Sequence, residues 1–120
     1  MRDDSLTIDE LPVSSDGDAV WRLTGPLVIT TFFEFQERVR SDKSKTLALD
    51  FSGVPYIDST ALGALVAANV SCQKAGRRVV LSGVSERVSR MFKITNVESL
   101  FLTFPTLEEA IGGPTRAGAA

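Results

Sequence analysis

The one stretch whose residue types and spacing promise chemistry is Asp58-Ser59-Thr60-Ala61-Leu62-Gly63. A strand-like segment and a loop precede it, and a helical pattern follows. A short polar residue at such a junction has two readings. Asp58 or Ser59 can be the helix N-cap, accepting an orphan backbone N–H of the first turn for roughly 1 kcal/mol. Ser59 is also a reachable phosphate acceptor, because the free N–H groups of a helix N-terminus can hold a phosphate. The adjacent Asp58 carboxylate opposes that added charge.

Elsewhere the chemistry is sparse. The chain has no histidine, which excludes histidine triads and histidine zinc sites. It carries no G-x-x-x-x-G-K-[ST] loop, no G-x-G-x-x-G and no G-x-S-x-G elbow. Asp3-Asp4 reads as a solvated terminus, and Glu108-Glu109 as a helix first turn, where acids suit the dipole. Cys72 is the single cysteine, so no internal disulfide forms. It shares a helical stripe with Leu65 and Ala68 and reads as a small buried hydrophobe. No catalytic residue, metal or cofactor is expected.

The elements that must position Ser59 follow from periodicity. Leu6–Leu11 and Ala19–Thr24 read as a hairpin around the turn Ser15-Asp16-Gly17-Asp18. Thr31-Phe32-Phe33-Glu34 has capping-box spacing, and Phe32, Phe35 and Val39 then share a helical face. Thr46–Phe51 is mostly apolar, like a central strand covered on both sides. After the loop Ser52–Ile57, a helix runs from Ser59 or Thr60 to Ala75, with Gly76 as its stop. Arg78–Ser82 is a strand. Ser85 caps a helix facing inward through Val88, Met91 and Phe92. Phe101–Phe104 is a short strand, and Thr106 with Glu109 opens a last helix.

The order β-β-α-β-α-β-α-β-α predicts an α/β fold with a mixed, mostly parallel sheet. Leu47, Leu49, Phe51, Leu65, Val80 and Phe92 are the expected core. The helix after Ser59 shows one apolar stripe, Ala61, Leu65, Ala68 and Cys72, for the sheet. Its other side, Thr60, Gly63, Ala67, Val70, Ser71 and Lys74, is unusually small and weakly polar. That side either lies under a neighbouring loop or gives a partner a flat surface to approach closely.

Composition bounds the rest. A length of 120 residues fits one domain, here 1–111, with 112–120 read as a flexible tail. Thirteen basic residues against fifteen acidic ones give −2, against non-specific binding to nucleic acid or a membrane surface. The run Ala61–Val70 is too short to span a bilayer, and no apolar signal core follows Met1. A soluble cytoplasmic domain is expected.

Four stretches, taken in order, resemble the STAS family and specifically the bacterial anti-sigma factor antagonists. They are Arg22-Leu23-Thr24-Gly25, the strand and turn Leu47–Val54, Tyr56–Leu65 with its Asp-Ser-Thr-x-Leu-Gly core, and Met91–Val97. The resemblance spans roughly residues 6–111. It implies a STAS fold, with helices packed mainly on one face of the sheet. It also implies a non-enzymatic partner switch. The unphosphorylated protein would bind an anti-sigma factor that is a serine kinase, and so release a sigma factor. Phosphorylation of the serine after the aspartate, here Ser59, would end the complex, and a PP2C-type phosphatase would restore it. The surface implied by this reading comprises Gly25, Val28, Asp58, Ser59, Thr60, Gly63 and Ala67. Pro26 and Val28 stand where the family commonly carries Glu and Asp. The rival is a STAS subunit of a transporter or signalling assembly with no phosphorylation cycle.

Overall fold

The computed structural model describes residues 5–12 and 17–111. Strands β1 (Thr7–Leu11) and β2 (Asp18–Thr24) lead to helix α1 (Phe32–Ser41). Then come β3 (Thr46–Gly53), α2 (Ser59–Lys74), β4 (Arg78–Ser82), α3 (Glu86–Ile94) and β5 (Leu102–Phe104). A short helix over 107–111 follows.

The strands lie in sequence order across one sheet. β1 pairs antiparallel with β2, as expected of a hairpin, and every later pair is parallel. Sequential parallel strands joined by right-handed crossovers place their connecting helices on one face. The packing agrees. Trp21, Leu23, Leu47, Leu49, Phe51, Leu65, Val88 and Phe92 join one buried cluster on the helical side. On the other face Val20, Ala48 and Val80 meet Ala110 of the terminal helix. β3 is therefore buried on both faces, the physical reason for its near-continuous apolar run. All six expected core residues are buried.

Two details depart from expectation. Thr31 does sit at the N-cap of α1, but its hydroxyl makes no capping bond to Glu34. Thr31 Oγ1 instead donates to the Pro26 carbonyl at 2.8 Å and accepts the Val28 N–H at 2.9 Å. The turn before the helix offers closer partners than the helix itself, so the capping box does not form. A 3₁₀ turn, Glu98–Leu100, also precedes β5. The expected hairpin turn lies partly, and the expected tail wholly, outside the described residues.

Cys72 lies on the buried side of α2. Burial pushes its thiol pKa up, with a smaller downward pull from Arg77 and an upward one from Asp42. A suppressed thiolate predicts slow chemistry. Alkylation of the native protein should run at least ~10-fold slower than in denaturant; equal rates would refute the packing role.

Candidate partner-binding site at the start of α2

Two loops leave the C-terminal ends of adjacent parallel strands, and backbone hydrogen bonds zip them together. The Gly25 N–H donates to the Gly53 carbonyl at 2.9 Å, and the Leu27 N–H to the Tyr56 carbonyl at 3.2 Å. The Asp58 N–H returns to the Leu27 carbonyl at 3.3 Å. Leu27 and Ile57 thus form an isolated parallel bridge beyond the sheet, and both are buried. Loops tied in this way behave as part of the scaffold and fix whatever they carry.

Asp58 completes the junction with its side chain. Oδ1 accepts the Ala61 N–H at 2.9 Å, which makes Asp58 the N-cap of α2. Oδ2 accepts the Ile29 N–H at 2.9 Å, from the other loop. One carboxylate therefore sets both the start of α2 and the position of the β2–α1 turn. Asp58→Asn keeps an oxygen for the cap but turns an amide toward the Ile29 N–H, two donors face to face. Hydrogen exchange at Ile29 should speed up in both Asp58→Asn and Asp58→Ala. Exchange at Ala61 should speed up only in the alanine variant, which should also lose roughly 1 kcal/mol of stability. Equal protection in all three proteins would remove Asp58 from this role.

A second carboxylate holds the β3 end of the junction. Asp50 is buried, accepts the Ser52 N–H at 2.9 Å and faces the Arg22 guanidinium at 3.0 Å. Burial alone would raise its pKa, but the Ser52 hydrogen bonds and Arg22 outweigh it and hold the carboxyl below its ordinary 3.8. A folded pKa below the unfolded one adds stability that is complete above the unfolded value. That stability drains away as pH falls through the folded pKa. Asp50→Asn should therefore flatten the acid limb of the stability curve, measured by denaturant melts across that range. An unchanged acid limb would mean the carboxylate contributes nothing there.

Ser59 is the first residue of α2, and its side chain is exposed, as is that of Thr60. With Asp58 taking the cap, the Ser59 hydroxyl is not committed to that bond. Gly63 and Ala67 follow along the exposed side of α2, one and two turns on. A methyl added at Gly63 meets nothing within 4 Å, so this side is open and does not lie under a loop. Gly25 and Val28 are half-buried in the turn that faces the start of α2. The structure thus gathers Gly25, Val28, Asp58, Ser59 and Thr60 at one end of the molecule, with Gly63 and Ala67 extending the surface along the helix.

Two large apolar side chains stand exposed on this end of the molecule. Ile29 is 61% exposed and Phe33 64% exposed, whereas Phe35 is core. Ile29 sits in a turn, where no periodicity assigns a side chain to inside or outside. Phe33 lies off the Phe32–Phe35–Val39 face, and that offset was the available signal. Arg87, at the start of α3, stacks on the Tyr56 ring at 4.8 Å and adds a cation to the same loop. Such pairs are legible only once the fold brings the elements together.

Comparison with known proteins bears on the fold and the family. An anti-sigma-B factor antagonist from Staphylococcus aureus is 29% identical over 82 residues, 66% of this chain and 76% of that protein. The crystal structure of an anti-sigma factor antagonist from Mycobacterium paratuberculosis superposes with a TM-score of 0.78 at 22% identity, covering 92% of this chain and 94% of that one. A sulfate transporter family protein from Wolinella succinogenes gives 0.72 at 24% identity, covering 91% and 93%. At these identities the two structures speak for the fold alone. The STAS domain family profile matches residues 12–110, nearly the whole of the sheet and helices described above. By that match the chain belongs to the STAS domain family, and with its anti-sigma antagonist relatives it stands among non-enzymatic regulatory proteins.

Proposed function

We propose that this chain is an anti-sigma factor antagonist working as a phosphorylation-controlled partner switch in the cytoplasm. With Ser59 unmodified it binds an anti-sigma factor that is itself a serine kinase, and a sigma factor is released. Phosphate on Ser59 ends the complex, and a PP2C-type phosphatase restores it. The contact surface is Gly25, Val28, Asp58, Ser59, Thr60, Gly63 and Ala67, and binding involves neither nucleic acid nor insertion into a membrane. No helix among the described residues is long and apolar enough to cross a membrane.

The observation that carries this reading is the exposed hydroxyl of Ser59 at the first position of α2, beside a carboxylate that already takes the cap. A kinase can reach such a hydroxyl without unfolding anything. The name of the Staphylococcus aureus relative, an anti-sigma-B factor antagonist, supports the partner class. The second reading, a STAS subunit of a transporter or signalling assembly without phosphorylation, is favoured by Pro26 and Val28. It is also favoured by the likeness to the Wolinella succinogenes protein.

The test is a pull-down from the native cell with unmodified protein, followed by incubation with the captured kinase and ATP and mapping of the phosphosite by mass spectrometry. The switch reading expects a kinase among the captured proteins and phosphate on Ser59. Phosphate confined to Thr60 would overturn it. Capture of transporter subunits with no modification would establish the rival.

A further inference from the structure

The far half of α2 borders a groove that shares only Ala67 with the proposed partner surface. Its small residues Ala67, Ala68 and Ser71 face Val39 and Arg40 of α1, and the opening has a volume of about 600 Å³. That is within the roughly 300–1,000 Å³ of small-molecule sites. Val39 and Cys72, both buried, give it an apolar floor.

The charge around this floor is one-sided. Arg40, Lys43, Lys45 and Arg77 line it against the single acid Asp42. α1 and α2 both end here, at the caps Asp42 and Ala75. Two helix C-termini contribute about half a negative charge each, which cancels only about one of the cations. The groove stays positive on a chain whose net charge is −2.

The cations also divide by role. Arg77 is bound to Asp42 at 2.7 Å and to the Ser44 carbonyl at 2.6 Å, and both charged side chains are more than four-fifths buried. That pair is a rigid wall. Arg40 has only a long contact, 3.8 Å, to Glu37. Lys43 and Lys45 make no ion pair among the described residues. Three cations are thus left at the rim of an apolar slot.

The geometry points to a binding site for a small organic anion, with one carboxylate, sulfonate or phosphate head and a short apolar body. The body lies on Val39, Ala68 and Cys72, and the head meets Arg40, Lys43 and Lys45. Ser71 stands twelve residues beyond Ser59, roughly 18 Å along the helix axis, so binding requires nothing of Ser59. The site stands whether or not the phosphorylation switch does. Ala67 borders the groove and also belongs to the proposed partner surface, so an occupant touches the outer side of α2.

Amide NMR titration of the intact protein tests this with octanoate as the probe. Inorganic phosphate supplies the head alone and octanol the body alone. Octanoate at millimolar concentration should give saturable shifts confined to residues 36–45 and 67–77. Each half-probe should bind at least ~5-fold more weakly, because the head and body contacts are both required. Lys43→Ala combined with Lys45→Ala removes two exposed charges, leaves the core intact and should weaken octanoate by roughly 3- to 30-fold. Ala68→Leu should fill the slot and abolish the shifts, with the lysine variant deciding the matter if that protein does not fold. No saturable shift in these segments would overturn the proposal. So would shifts centred on the exposed apolar residues Ile29, Phe33 or Ile94, octanol binding as tightly as octanoate, or unchanged affinity in the lysine variant.

Discussion

Phosphate on Ser59 is expected to weaken partner affinity by roughly 30-fold to several-thousand-fold, the range that follows from about 2–5 kcal/mol for an unmatched charge in an interface. The modification adds about −1.5 to −2 charge. It lands next to the Asp58 carboxylate, whose two oxygens are held by Ala61 and Ile29 and cannot turn away without releasing the cap or the turn. The helix N-terminus offsets part of the new charge. It does not remove the bulk of the group from its place beside Gly63 and Ala67, the small residues along the exposed side of α2. Ser59→Ala should bind like the unmodified protein. Because Asp58 and not Ser59 caps α2, the alanine variant should also keep its stability to within about 0.5 kcal/mol. Ser59→Asp should bind more weakly than Ser59→Ala but more tightly than the phosphoprotein, since one carboxylate has fewer oxygens and less charge. Calorimetric titration of the captured partner with the four species measures all of this. Equal affinity with and without phosphate would end the switch model.

How much of this was legible before the structure differs by element. β3 announced itself because a strand buried on both faces must be apolar almost throughout. The stripe of α2 was legible because 3.6-residue spacing is rigid. The end of that helix was marked by Gly76, which adopts φ +76°. The failures share one cause, which is competition from partners remote in sequence or in an adjacent turn. Thr31 has the spacing of a capping box, yet its hydroxyl is taken by Pro26 and Val28. Asn69, a polar residue inside the apolar run Ala61–Val70, is buried and donates to the Leu100 carbonyl at 2.8 Å, thirty-one residues away. The choice between Asp58 and Ser59 as cap stayed open in the sequence for the same reason. The Ile29 N–H, which holds the second carboxylate oxygen, lies twenty-nine residues upstream. Small residues on the outside of α2 were visible. The groove they open against α1 was not, because its rim comes from a different segment of chain.

Gly25→Ala is expected to cost at least ~3 kcal/mol, at the severe end of single substitutions. Gly25 has φ +109°, a conformation that penalises any side chain. A Cβ built there would also lie 2.2 Å from the Ser5 carbonyl oxygen and 3.2 Å from its carbon. Those are backbone atoms at the foot of β1, directly before the buried Leu6, so no rotamer change relieves the contact. Either the start of β1 lifts away and exposes Leu6, or the turn moves and breaks the Gly25–Gly53 hydrogen bond that joins the two loops of the site. The same chemical change at Gly63 should have the opposite sign. That residue is helical, exposed and has nothing within 4 Å of an added Cβ. Gly63→Ala should therefore gain roughly 0.5–1 kcal/mol from helix propensity and raise the melting midpoint by about 2–6 °C. If the open side of α2 is a close-contact surface, that stabilised protein should nevertheless bind its partner less well, because a methyl group now stands where the partner approaches. Thermal melts and partner titrations of the two alanine variants separate the roles: Gly25 as a backbone requirement of the fold, Gly63 as clearance for a partner. A Gly25→Ala protein that melts with the parent would contradict the turn geometry. A Gly63→Ala protein with higher stability and undiminished affinity would show that the partner does not approach this part of the helix.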